Sequence, residues 1–263
     1  IISCGGGELM CGILPYLDFE KIRRSEPKWF IGYSDNTNLI FPLATICDTA
    51  SIYGPCAPAF GMEPRHEAVQ FAEDLLKGKS LSFKGFDTFE LESAKTEENP
   101  LAPYNLTEKS VKRGFVGNNE VSEMRFKGRL LGGCLDCLQI LCGTRFDKVA
   151  DFNNKYEEDG VLWFLEACDL NPMGVRRALW QLEQAGWFEK AAGFLIGRPM
   201  HYGEELMGLT QLEAVLGVLG KYKLPILIDA DIGHLPPAIP LVSGAVAEVR
   251  FQEGNWEVSM ALQ

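Results

Sequence analysis

Three polar side chains in this chain sit at the ends of apolar, strand-like runs. Ser34 follows residues 29–33 in Lys28-Trp29-Phe30-Ile31-Gly32-Tyr33-Ser34-Asp35-Asn36-Thr37. Glu166 ends the run 161–165 with no polar spacer, and His234 follows the run 225–230 in Asp231-Ile232-Gly233-His234-Leu235-Pro236-Pro237. A serine hydroxyl is a weak nucleophile at its own pKa; it needs an adjacent base, and the base needs a partner that fixes its tautomer. The chain offers one of each in the order Ser, Glu, His, the order found in α/β-hydrolases. A fourth component is the turn Gly5-Gly6-Gly7, whose N–H groups, with that of Asp35, could point at an oxyanion.

The sharp turn at Ser34 would push its side chain into the open at the carboxyl edge of a sheet, as in a nucleophile elbow. Gly32 fits that reading, because an elbow packs backbone against backbone with no room for a Cβ. Each residue also has a plainer role open to it. Ser34 could cap a helix over 36–47, with Asp35 and Asn36 favouring its positive end. Glu166 could pair with Arg176 or Arg177, and His234 could be satisfied by a backbone carbonyl. The glycines could form a simple turn or a phosphate loop, although the Lys-Ser/Thr ending of a P-loop and full dinucleotide-fingerprint spacing are absent.

These residues need a scaffold, and the first third of the chain alternates in the α/β manner. Residues 1–4 read as the end of a strand, 9–17 as a helix limited by Pro15, 29–33 as a strand, 35–47 as a helix and 51–53 as a short strand. Residues 67–76 carry Val69, Phe71, Ala72, Leu75 and Leu76 at helical spacing. Such alternation implies a doubly wound parallel sheet with sites at the carboxyl ends of its strands. The texture from 77 to 113 is charged and turn-rich. The remainder predicts strands at 161–165, 193–197, 225–230, 245–251 and 256–260, with helices at 173–185 and 210–219; the unbroken apolar run 161–165 suits a strand buried on both faces. The expected division is an N-terminal α/β domain over 1–85, a linker or excursion over 86–115, and a C-terminal β-rich α/β domain over 116–263.

Composition bounds the function. The 263 residues carry a net charge of −11, from 36 acidic against 25 basic residues, which argues against a nucleic-acid polymer as partner. Hydrophobic content of 46% with 23% charged residues is ordinary for a globular protein. No apolar run is long enough to span a bilayer, and no signal peptide opens the chain. The chain begins with Ile1 rather than Met, so upstream sequence, including a first strand, is expected to be missing. The eight cysteines are expected to be reduced and mostly buried: the lone Cys134-x-x-Cys137 lacks a second pair, and His66, His201 and His234 show no metal-pair spacing.

Taken together, the residues resemble the serine carboxypeptidase family that comprises LD-carboxypeptidases and microcin C immunity proteins. The resemblance rests on Gly5-Gly6-Gly7-Glu8 with Leu14-Pro15-Tyr16-Leu17-Asp18, on the Gly32-x-Ser34-Asp35 elbow, and on residues 128–133, 162–166 and 231–234. It implies Ser34 as nucleophile, His234 as general base and then acid, Glu166 as the orienting carboxylate, and the Gly6 and Asp35 amides as oxyanion donors. It further implies a flavodoxin-like N-terminal domain joined to a β-rich C-terminal one, with the triad assembled across their junction, usually in a cytoplasmic homodimer that needs no metal or cofactor. The substrate would be a small peptide or peptidyl-nucleotide: a murein tetrapeptide losing D-alanine, or the aminoacyl–nucleotide link of a peptide antibiotic. The long segment between Ser34 and Glu166 is more like the immunity-protein branch. Cys134 stands where many members carry Asn. A different class of function on the same scaffold would be a catalytically silent muropeptide- or nucleotidyl-peptide-binding protein.

Overall fold

The computed structural model describes residues 1–262. Its centre is a nine-stranded sheet. In spatial order the strands are Ser82–Lys84, Asn255–Ala261, Val246–Gln252, Glu123–Cys134, Val161–Glu166, Ala191–Gly197, Pro225–Ala230, Arg113–Val116 and Asn119–Val121. The four central strands from Glu123–Cys134 to Pro225–Ala230 run parallel, and the remaining pairings are antiparallel.

The strand Val161–Glu166 is buried along its whole length, as the unbroken apolar run predicts for a strand covered on both sides. Its side chains alternate between two cores, since successive residues of a strand face opposite ways. Trp163 and Leu165 join Leu138, Leu179 and Val215 from the helices Leu135–Leu141, Pro172–Gln184 and Gln211–Leu219. Leu162 and Phe164 join Ile31, Ile40, Ile52 and Leu241 on the other face. That second face is covered by a three-stranded sheet of Ile31–Gly32, Ser51–Tyr53 and Leu241–Ser243, the first two parallel and the last antiparallel.

Local sequence explains why the helices begin where they do. Asn171 accepts from the Gly174 N–H at 2.9 Å, with Pro172 in the first turn. Thr210 and Glu213 form a reciprocal capping box at the start of Gln211–Leu219. The helix Glu67–Leu76 buries Ala68, Val69, Ala72 and Leu75; Phe71 and Leu76, placed on the same face by spacing, pack only partly buried at its edge.

The expected α/β class is what the chain adopts, with its β-rich part toward the C-terminus. Individual elements differ from their predicted forms. Residues 10–16 make a 3-10 helix with Pro15 inside it, and residues 1–4 contribute only a single bridge, Ile2 to Ile31. The segment 35–47 divides into a 3-10 turn, Ser34–Asn36, and the helix Thr37–Thr45. Strands cross between the three sequence segments: Ser82–Lys84 lies in the large sheet, and Leu241–Ser243 lies in the small one. Within 86–115, Thr88–Phe89 pairs with Glu108–Lys109, and Arg113 begins a strand of the large sheet.

Candidate active site

Ser34 follows the strand Ile31–Gly32 and sits at φ 63. For a residue with a Cβ this left-handed backbone costs roughly 1–2 kcal/mol, and such conformations persist where the surroundings over-determine them. The surroundings here are dense. The Ser34 N–H donates to the Tyr53 hydroxyl at 3.2 Å, and the Asn36 side-chain amide donates to the carbonyls of Gly5 and Tyr33, both at 2.9 Å. A Cβ on Gly32 would lie 2.7 Å from Asn36 Cγ. The glycine is therefore required by a side chain of the elbow rather than by backbone packing. Ser34 makes no capping hydrogen bond: the helical turn is entered from Tyr33, and neither helical segment there has a side-chain cap.

Glu166, at the carboxyl end of its strand, is 1% exposed. It pairs with neither Arg176 nor Arg177. One oxygen, Oε1, accepts from the Tyr53 hydroxyl, and the other, Oε2, lies 2.8 Å from His234 Nδ1. His234 is presented by Gly233 at φ +104, where a Cβ would stand 2.5 Å from Glu166 Oε2. Burial on its own disfavours the imidazolium, but the Glu166 carboxylate and Cys168 together outweigh it. The ring's pKa is therefore held above that of an ordinary histidine. Tyr33, the residue before Ser34, lies against the His234 ring at a centroid distance of 5.0 Å.

The glycine turn closes over Ser34. A Cβ on Gly6 would be 3.1 Å from both Cβ and Oγ of Ser34 and 3.9 Å from the Asp35 nitrogen. The Gly6 N–H donates to no acceptor among the described residues. The Asp35 side chain fixes this arrangement, accepting from Met10 N at 2.9 Å and from Asn38 Nδ2 at 2.7 Å. The structure thus brings Glu166 and His234 into direct contact, and Ser34, Gly6 and Asp35 into another cluster beside them. Ser34 Oγ and the His234 ring are not hydrogen-bonded; such bonds are often long in a free enzyme and tighten with substrate. A cavity of about 310 Å³ opens onto Gly5, Gly6, Tyr33 and His234, and its far walls carry Glu90, Lys95 and Tyr104.

Two features of this site lay outside the sequence reading. Tyr53 was legible only as the end of a short apolar strand, and nothing in Ser51-Ile52-Tyr53 signals a hydroxyl that reaches Ser34 and Glu166. The second feature is the set of thiols packed around the site. All eight cysteines are free. Cys134 and Cys137 are buried, and the Cys137 thiol lies 3.7 Å from the Ser34 carbonyl oxygen. Cys134 takes its place by backbone, its N–H donating to Thr37 Oγ1 at 3.0 Å.

Comparison with known proteins gives a consistent result. A profile of the LD-carboxypeptidase N-terminal domain matches residues 1–54, and one of the LD-carboxypeptidase C-terminal domain matches residues 127–249, together more than half of the chain. The chain is 26% identical to the microcin C7 self-immunity protein MccF of Escherichia coli over 98% of its own length and 73% of that protein. It is 29% identical to a probable murein peptide carboxypeptidase of Bacillus subtilis over 96% of its length and 69% of the relative. Among solved structures, an MccF-like protein of Streptococcus pneumoniae in complex with AMP superposes with a TM-score of 0.78 at 21% identity, covering 99% of this chain and 78% of that one.

Proposed function

Since the chain belongs to the LD-carboxypeptidase family, we propose that it is a serine carboxypeptidase, or amidohydrolase, that cleaves an amide next to a free C-terminal group through Ser34, His234 and Glu166. The observation that carries this reading is the buried Glu166–His234 pair at 2.8 Å, set beside an elbow serine held at φ 63. Neither feature serves a helix cap or a surface ion pair.

In this mechanism His234 takes the Ser34 proton as Oγ attacks the carbonyl carbon. Glu166 holds Nδ1 and stabilises the imidazolium that forms. The tetrahedral oxyanion is met by the Gly6 and Asp35 N–H groups; one such donor is worth roughly 3–4 kcal/mol in the transition state. The imidazolium then protonates the leaving nitrogen as the C–N bond breaks, and water, activated by His234, releases the acyl group from Ser34 by the reverse sequence.

The substrate class follows from the relatives. The Bacillus relative is named for murein peptides and the Escherichia relative for microcin immunity, and a structural neighbour was solved with AMP. The two substrates to test are therefore a murein tetrapeptide and an aminoacyl adenylate. The reading extends to a cytoplasmic homodimer; no helix among the described residues is long and apolar enough to cross a membrane. Light scattering on the purified protein tests the dimer.

The decisive experiment is labelling by a fluorophosphonate, which reacts with an activated serine and not with an ordinary one. The wild type is expected to be labelled on Ser34, and Ser34→Ala to lose both labelling and turnover with unchanged circular dichroism. Absence of labelling in the wild type would favour a silent binding protein on this scaffold.

A further inference from the structure

Tyr53 ends the central strand of the three-stranded sheet, in register with Gly32 on one side and Leu241 on the other. It is 2% exposed. Its ring packs edge-on to Tyr33 and against Phe164, with centroids 6.5 and 5.5 Å away. Packing alone would ask for Phe at this position. The hydroxyl does something a Phe cannot. It accepts the Ser34 N–H at 3.2 Å and donates to Glu166 Oε1, while Glu166 Oε2 holds His234 Nδ1 at 2.8 Å. One phenolic oxygen therefore joins the backbone of the nucleophile to the carboxylate that orients the base.

We infer that Tyr53 is a positioning residue for the reaction: its hydroxyl holds the Ser34 elbow and the Glu166–His234 pair in one fixed relation across the junction between the two sheets. The inference rests on the function proposed above and adds a fourth side chain to it. The hydroxyl has one donor and one acceptor direction in use, so neither sheet can shift without breaking one of them. Burial, reinforced by the Glu166 charge, raises the phenol's pKa well above the ordinary value, so the group stays a donor wherever the enzyme works. By donating to Oε1, Tyr53 also draws charge from the carboxylate that faces the imidazole. The other titratable groups facing this cluster are Cys168, Cys56, Cys134 and Tyr33, and an exchange of Tyr53 for Phe keeps each of these side chains in the chain.

The test is Tyr53→Phe, which keeps the ring and removes one oxygen. It is read by the pH dependence of fluorophosphonate labelling of Ser34. A positioning role predicts a plateau rate about tenfold lower, as for a lost hydrogen bond to a charged group. It also predicts an acid limb displaced to higher pH by about one unit, because Glu166 without its donor stabilises the imidazolium more strongly. Site-specific 3-fluorotyrosine at position 53, a stronger donor, should move the limb the other way. It also provides the readout if the Phe variant fails to fold. Limbs that stay at the wild-type position in both variants, whatever happens to thermal stability, overturn the inference and leave Tyr53 as core packing. A wild type that is not labelled at all overturns the proposed function instead.

Discussion

Glu166 has two titratable partners in direct contact, the Tyr53 phenol and the His234 ring, and the contact with His234 gives a pH dependence with a definite sign. In the proposed mechanism His234 must be neutral to accept the Ser34 proton. The Glu166 charge raises the His234 pKa against the opposing effect of burial, so activity should rise with pH along a limb centred above the ordinary imidazole range. Glu166→Gln removes that charge and keeps the shape. We expect the limb to move to lower pH and the plateau rate to fall by about 10⁴-fold, the loss typical of an orienting carboxylate replaced by its amide. Stability follows the same linkage: a raised histidine pKa contributes to folding below the unfolded-state value of about 6.5 and is lost as pH rises through the folded-state value. The advantage of the wild type over Glu166→Gln in urea should therefore be largest at acidic pH and shrink toward alkaline pH. A wild type and variant with the same limb would show that the pair does not control the base.

At the scale of elements, the turn-rich segment after residue 85 is a wall of the site. The Glu90 N–H donates to the Pro236 carbonyl at 2.7 Å, its Oε2 accepts from Asn105 N at 2.6 Å, and the Lys112 ammonium donates to the Phe86 carbonyl. Pro236 follows His234 by two residues, so this segment is fastened to the loop that carries His234. Glu90→Ala is expected to leave fluorophosphonate labelling of Ser34 close to wild type. It should raise KM about tenfold on whichever substrate the wild type turns over, since a lost hydrogen bond to a charged group is worth about 1.5–3 kcal/mol. Equal losses in labelling and in KM would mean that the wall only supports the His234 loop. The wall was not legible in the sequence, and its dimensions explain why. Its strand pairs, Thr88–Phe89 with Glu108–Lys109, are two residues long, too short for any alternation to register. Arg113–Val116 is four residues long with only Gly114 and Phe115 buried, and Asn119–Val121 lies at the sheet edge with polar, exposed residues. The elements that were legible are those with a continuous signal: the buried run Val161–Glu166, the strand Pro225–Ala230, and the amphipathic helix Glu67–Leu76. Glu166 and His234 were legible as candidates for the same reason, one ending such a run and the other lying just past one; Ser34 was read from the apolar stretch 29–33, of which only Ile31–Gly32 is strand. Tyr53 was not legible, because its partner Glu166 is 113 residues away.

The whole molecule depends on keeping the His234 loop fixed between its sheets, and a buried ionic cluster performs that task. Asp231 is fully buried. Its Oδ1 meets Arg198 Nη1 at 2.6 Å. Its Oδ2 accepts from Trp256 Nε1 at 2.8 Å and Phe86 N at 3.0 Å, with Lys112 Nζ at 3.3 Å. Arg198 in turn donates through Nη2 to the carbonyls of Leu235 and Pro237. One carboxylate thus ties together the strand Asn255–Ala261, the segment ahead of Arg113, the residue after Ala191–Gly197 and both sides of the His234 loop. Taking charges out of water is costly, and a buried pair repays that cost only when every partner is satisfied. Asp231→Ala removes the one carboxylate that directly meets both Arg198 and Lys112, leaving two buried cations without their ion-pair partner, and it should destabilise the fold by about 3–5 kcal/mol in urea denaturation. If the cluster's value is specific geometry rather than net stability, then Asp231→Leu combined with Arg198→Met and Lys112→Met should recover much of that loss. Recovery should stay incomplete, because the Trp256 and Phe86 N–H groups keep no acceptor. The triple variant should also still fail to label Ser34 at the wild-type rate, since the carbonyls of Leu235 and Pro237 no longer have a guanidinium to hold them. A triple variant as reactive as the wild type would show that the loop is held by packing alone.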